Sequence, residues 1–146
     1  MPAKDKFHDH VINALQVEGW TITHDPYFLR LGRRKGYIDL GAERSFIGAE
    51  RENEKIAVEI KSFLSPSSLD QFEDALGQFL IYRPALTKAE PARVLFLAVP
   101  KTFYEDFFDE PYFVEIAELY DLKMCIFNES ETELIWVKQS NTKRKL

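Results

Sequence analysis

The chain has 146 residues, 45% of them hydrophobic, with 12 phenylalanines, which is enough material for one domain with a real core. Its net charge of −5 excludes a protein that coats nucleic acid by bulk electrostatics, although not one that approaches it through bound cations and local basic patches. One cysteine, Cys125, excludes an internal disulfide framework and a cysteine-built zinc cage. The longest apolar run, Val94 to Val99, is too short to cross a bilayer. No cleavable signal stands at the N-terminus, so a reducing, cytoplasmic compartment and no membrane partner are expected.

Asp5 to Gly19 reads as an amphipathic helix, with Phe7, Val11, Ala14 and Leu15 at helical spacing and Gly19 as its stop. His8 shares a side with Val11, Ile12 and Leu15 and so borders the core; a packed histidine and a catalytic one are both open readings. Trp20 to Leu31 is predicted to be extended, interrupted at Asp25-Pro26, and Gly32 opens a turn. Around that turn stand Arg30, Arg33, Arg34 and Lys35, either a solvated hairpin tip or a set of phosphate contacts. Tyr37 to Glu43 is strand-like, and Gly41 within it marks a bulge or a close backbone approach. A further β segment begins near Ser45 and, after the polar stretch 51–55, continues through Ile56 to Phe63.

Ser65-Pro66-Ser67-Ser68 breaks that strand, and Ser68 with Gln71 fits a capping box, with Ser67 as an alternative cap. The helix is predicted to run to Arg83 and to end at Pro84. Val94 to Val99 has the composition of a strand buried on both faces. Thr102 to Leu122 is aromatic-rich and helical, broken near Pro111, its rings read as core before interface. Lys123 to Asn128 and Glu133 to Lys138 are the last strands, and Cys125 in the first of them reads as a buried structural thiol. Lys143, Arg144 and Lys145 read as a flexible terminus rather than a binding arm. This order predicts a single α/β domain over residues 1–138, a mixed sheet flanked by helices, with 139–146 as a tail.

Charge interrupts two of the strands. Asp39 stands in the first, and in Ile56-Ala57-Val58-Glu59-Ile60-Lys61 the residues Glu59 and Lys61 share one face while Val58 and Ile60 share the other. If the two strands pair, Asp39, Glu59 and Lys61 converge. Asp39 and Glu59, with the Ile60 carbonyl, would offer oxygen ligands to Mg²⁺ or Mn²⁺. Lys61 would orient an attacking water or stabilise developing negative charge. The bland reading of Val-Glu-Ile-Lys is an edge strand with alternating surface charge. On the following helix Gln71, Ala75, Gln78 and Tyr82 lie along one face, which suits Gln78 and Tyr82 to a polar site or simply to solvent. Glu43 shares strand parity with Asp39 and reads first as an edge charge.

Ile38-Asp39, Glu59-Ile60-Lys61 and Gln78-x-x-x-Tyr82 together resemble the PD-(D/E)xK nuclease superfamily with its accessory helix, with Ile38 where the motif name has proline. More closely, Lys4-Asp5-x-x-His8, Tyr37 to Glu43, Ile56 to Phe63 and Phe72 to Arg83 resemble the XisH family, the cyanobacterial fdxN-element excision controlling factors, over nearly the whole chain. The resemblance implies a restriction-endonuclease-like fold and a role in programmed DNA excision. It also implies a site-specific recombinase and an XisI-like companion as partners, and a homodimer by superfamily analogy. In that setting the first helix passes the site, which adds His8 to the catalytic candidates.

Two functions compete on these residues. One is a Mg²⁺-dependent DNA endonuclease or nuclease-like subunit. The other is a non-catalytic accessory protein that regulates a recombinase through protein contacts and keeps the nuclease fold as scaffold.

Overall fold

In the computed structural model, which describes residues 6–46, 52–63 and 67–138, the first element is helix α1 (His8–Val17). Asp5, the Lys4-Asp5 part of the family signature, the Ser65-Pro66 break and the tail 139–146 with Lys143, Arg144 and Lys145 lie outside the described residues. Val11, Ala14 and Leu15 bury one face of α1, and Gly19, at φ +96°, supplies the left-handed conformation that turns the chain after it. Strand β1 (Thr21–His24) follows, then a cis Asp25-Pro26 bond, then the hairpin of β2 (Tyr27–Leu31) and β3 (Arg34–Ile38) around Gly32.

The stretch from Tyr37 to Glu43 is not one strand. β3 ends at Ile38, Asp39 is a bend, and β4 (Leu40–Phe46) starts in a different sheet. Burial explains the break: Ile38 packs with Tyr27 and Leu29 in one core layer, whereas Leu40 and Ala42 pack with α1 in another. Gly41 is both a close approach and an irregularity. A Cβ there would lie 2.9 Å from His24 Nδ1, and the β1–β4 register slips opposite it. The segment expected to run from Ser45 into Phe63 is likewise divided. Ser45 belongs to β4, and β5 (Glu52–Ile60) returns antiparallel beside it, pairing Ser45 with Asn53 and Leu40 with Val58.

Helix α2 (Ser68–Ala89) is capped by Ser67, whose Oγ accepts from the Asp70 N–H at 3.4 Å. Its predicted end at Pro84 is wrong: the helix continues through the proline to Ala89. Pro84 removes one backbone bond at a cost of about 3 kcal/mol. That cost is offset because the next turn carries Leu86, 1% exposed, into the core. β6 (Arg93–Pro100), α3 (Lys101–Phe107), α4 (Pro111–Leu119), β7 (Met124–Phe127) and β8 (Leu134–Val137) complete the chain close to their expected bounds.

The main sheet has six strands in the order β1-β4-β5-β6-β7-β8, parallel between β5, β6 and β7 and antiparallel elsewhere. Strand alternation divides it into two layers. Ala57, Leu95, Leu97 and Val99 meet Phe72, Ala75, Phe79 and Leu86 of α2. Ile56, Val58, Ile60, Phe96 and Ala98 meet Val11, Ala14 and Leu15 of α1. Phe107 and Phe113 meet the Phe72 ring in the α2 layer and Phe103 stacks on Phe107, so the aromatic stretch is mainly core, with Tyr112 and Tyr120 left exposed. Cys125 is fully buried, and burial pushes its thiol pKa far up, which makes it inert. The result is the mixed, helix-flanked α/β sheet expected of the restriction-endonuclease-like class. Among the described residues no helix is long and apolar enough to cross a membrane.

Candidate functional site

The central strand β5 is clasped by the start of β4 on one side and the end of β6 on the other, and its ladder continues past Ile60 through the Lys61 N–H to the Ala98 carbonyl at 3.0 Å. Because Val58 and Ile60 belong to the α1 layer, Glu59 and Lys61 turn toward α2. Lys61 Nζ lies 3.6 Å from Glu59 Oε2, and Gln78 Nε2 of α2 donates to the same oxygen at 3.0 Å. Across the bend, the Asp39 N–H donates to Glu59 Oε1 at 3.2 Å, while Asp39 Oδ2 accepts from the Ile60 N–H at 2.7 Å. Each acidic residue is thus held by the backbone of the other's strand.

Burial and then the neighbouring Asp39 carboxylate lift the Glu59 pKa to about 7, against the opposing pull of Lys61, the Asp39 amide and Gln78. Two close carboxylates, one of them only 13% exposed, form a place where a cation relieves repulsion. Among the described residues no cluster of three or more His, Cys, Asp or Glu side chains assembles. The side chains brought together are Asp39 and Glu59, and the Ile60 carbonyl is the third oxygen expected from the sequence. Such an all-oxygen set, completed by water or phosphate, fits Mg²⁺ or Mn²⁺, which keep several waters, and does not fit a structural zinc.

The remaining predicted residues separate. Gln78 reaches Glu59 directly. Tyr82 lines a small cavity with Glu59, Gln78 and Ala75, and its hydroxyl stands 3.2 Å from where a Gly36 Cβ would lie, next to the hairpin. Gln71, with Lys61, Ser62, Phe63 and Asp74, lines a neighbouring pocket. Asp74 was not singled out from the sequence, although its position four residues before Gln78 places it on the same helix side. His8 is buried on the opposite layer, and its Nε2 lies 2.8 Å from Asp25 Oδ1, while its Nδ1 is buried without a hydrogen-bond partner. It joins α1 to the turn before β2. Arg30, Arg33, Arg34 and Lys35 are exposed on the hairpin, whose end at Leu31 and Arg34 borders an open groove against Ile81 and Lys88 of α2.

Glu43 pairs with Arg93 Nη2 at 3.2 Å and is a structural charge. Arg93 itself, 4% exposed, escaped the sequence reading. It also donates to the carbonyls of Ile56 (2.9 Å) and Ala42 (3.4 Å) and to Glu90 (2.8 Å), and lies over the Tyr27 ring. A lone arginine opening an apolar run was the available signal.

A family model described as "XisH protein" matches residues 1–135. Two solved structures are similar over nearly their whole length. A crystal structure of an XisH family protein from Nostoc punctiforme PCC 73102 is 41% identical, with a TM-score of 0.81, covering 91% of this chain and 99% of that one. A crystal structure of an fdxN element excision controlling factor protein from Anabaena variabilis is 40% identical, with a TM-score of 0.80, covering 92% and 99% respectively. No curated protein matches the chain.

Proposed function

The chain belongs to the XisH family, and from that premise we propose that it acts in the controlled excision of a DNA element as a Mg²⁺- or Mn²⁺-dependent DNA endonuclease of the PD-(D/E)xK kind. The observation that carries this reading is the reciprocal clamp of Asp39 and Glu59, with Lys61 held 3.6 Å from Glu59 Oε2. A relative from Anabaena variabilis bears the name of an excision controlling factor, which supplies the biological setting. Asp39, Glu59 and the Ile60 carbonyl hold the cation. When bound, that cation neutralises phosphate charge and acidifies a water molecule. Lys61 orients the water and meets charge developing on the phosphate. Gln78 fixes the rotamer of Glu59, and Tyr82 closes the wall between α2 and the hairpin. His8, paired with Asp25, anchors the first helix at the turn that precedes β2. Arg30, Arg33, Arg34 and Lys35 contact DNA phosphates. The working assembly pairs two copies on DNA, in the cytoplasm, with an XisI-like companion and a site-specific recombinase.

A second reading, a non-catalytic accessory protein acting through the recombinase, draws on one specific observation. Glu59 already has protein donors on both oxygens. Calorimetric titration of Mg²⁺ and Mn²⁺ into wild type and Glu59→Ala, alongside nicking of supercoiled plasmid by wild type and Lys61→Ala, separates the two. Metal binding lost in Glu59→Ala, with nicking lost in Lys61→Ala, supports the endonuclease. Metal binding with no nicking, even with the companion added, supports the accessory protein. No metal binding removes the site reading.

A further inference from the structure

We propose that the outer face of the β2–β3 hairpin seats an unpaired DNA strand, so that the substrate of the adjoining site is single-stranded or flapped DNA rather than an uninterrupted duplex. This rests on the nuclease reading above and adds a substrate class to it.

The two faces of the hairpin are chemically opposite. Tyr27, Leu29, Gly36 and Ile38 form the inner face and are all buried. Gly36 sits so close to its neighbours that a Cβ would come within 2.8 Å of Leu31 Cδ1. Alternation sends Phe28, Arg30, Lys35 and Tyr37 to the outer face, and register arranges them as two rungs. Phe28 lies opposite Tyr37, and Arg30 lies opposite Lys35. Burying Phe28 would stabilise the fold, yet it is left 47% exposed, in edge-to-face contact with Tyr37 at 5.8 Å. None of Arg30, Arg33, Arg34 and Lys35 is engaged in an ion pair among the described residues. In a chain of net charge −5 this is a local cationic surface beside one exposed ring, Phe28, and one half-buried ring, Tyr37.

That combination selects its ligand. Aromatic rungs beside cations bind nucleic acid by stacking bases while the cations take phosphates. A duplex hides its base faces and shows only edges, which Phe28 and Tyr37 are poorly equipped to read. The two rungs are one two-residue step apart, about 6.6 Å, so one nucleotide can place its base on the rings and its phosphate on Arg30 or Lys35. Asp39 lies two residues beyond Tyr37, at most about 7 Å along the chain. The rung therefore stands next along the chain to one of the acidic residues of the site.

Fluorescence anisotropy on the full chain, with Ca²⁺ replacing Mg²⁺, tests this with a labelled thymidine oligonucleotide, a matched duplex and a duplex bearing a thymidine flap. Wild type should bind the single strand and the flap more tightly than the duplex. Phe28→Ala/Tyr37→Ala should weaken single-strand binding by about 10–100-fold and leave duplex binding and the salt slope unchanged. Phe28→Leu/Tyr37→Leu, which keeps apolar bulk and strand propensity, should lose as much, which separates stacking from folding. Arg30→Glu/Lys35→Glu should weaken every DNA and flatten the salt dependence. Equal affinity for single strand and duplex, or full affinity in the leucine variant, overturns the inference. If the charge variant alone loses binding, DNA binding by the hairpin stands and the unpaired substrate falls. If wild type binds no DNA, the nuclease reading falls with it.

Discussion

Replacing Glu59 by Gln is expected to make the metal-free protein more stable while abolishing its response to Mg²⁺. The Glu59 side chain is 13% exposed, and burial together with the Asp39 carboxylate lifts its pKa from 4.5 to about 7. A carboxylate whose folded pKa is raised favours folding fully below its unfolded pKa, and that advantage is lost as pH rises toward the folded value. The difference between 4.5 and about 7 is worth about 3 kcal/mol at full ionisation. Metal-free wild type should therefore lose on the order of 2–3 kcal/mol between about pH 5 and about pH 8. Gln keeps an acceptor for the Asp39 N–H, and the Gln78 amide can turn to meet the new one. Denaturant melts in EDTA at both pH values, repeated with saturating Mg²⁺, measure all of this. The variant should exceed wild type by about 1–3 kcal/mol at the higher pH and by little at the lower one, and Mg²⁺ should stabilise wild type alone. A variant less stable than wild type at about pH 8, or one stabilised equally by Mg²⁺, would refute the picture of two carboxylates held together for a cation.

Two further predictions concern the scaffold. Arg93→Ala strips a buried guanidinium from Glu90, Glu43 and the carbonyls of Ile56 and Ala42. It should cost about 3–5 kcal/mol and lower Tm by roughly 6–20 °C in calorimetry, with Arg93→Lys restoring only part because one ammonium cannot span those acceptors. Pro84→Ala returns a helical N–H at an exposed position and should stabilise the protein by about 1–2 kcal/mol in the same melts; no gain would mean that α2 has already relaxed around the proline.

Glu59, Lys61 and Asp39 were legible in the sequence because strand alternation is a strict rule: two charges one residue apart must share a face, wherever the strand lies. Gln78 was legible for the same reason at helical spacing. What escaped depends on which layer an apolar residue chooses. Nothing in Tyr37-Ile38-Asp39-Leu40 says that Ile38 and Leu40 are drawn to opposite sides of the sheet, and so the bend at Asp39 was read as a continuous strand. Pro84 was read by its local rule, which the burial of Leu86 two residues later overrides. The partner of His8 was invisible because it lies seventeen residues away, in a turn whose path only the packed hairpin determines. Arg93 shows the same limit from the other side. A cation at the mouth of an apolar strand reads as a boundary, and only the folded carbonyls beneath it make it a hub.

Asp39 joins two sheets that share no ladder, the hairpin behind it and the six-stranded sheet ahead. Its amide and its carboxylate are both tied forward, to Glu59 and to Ile60, in hydrogen bonds that involve no residue of the hairpin. β2 and β3 form an arm whose Leu29 and Ile38 pack in one core layer with Phe72, Ala75, Phe79 and Leu86 of α2. In the proposed enzyme, capture by the hairpin and chemistry at Asp39 and Glu59 would be mounted on different sheets. Evolution can reshape the arm for a new nucleic-acid shape, or lose its grip altogether, while the spacing of the two acidic groups stays as the central strand sets it.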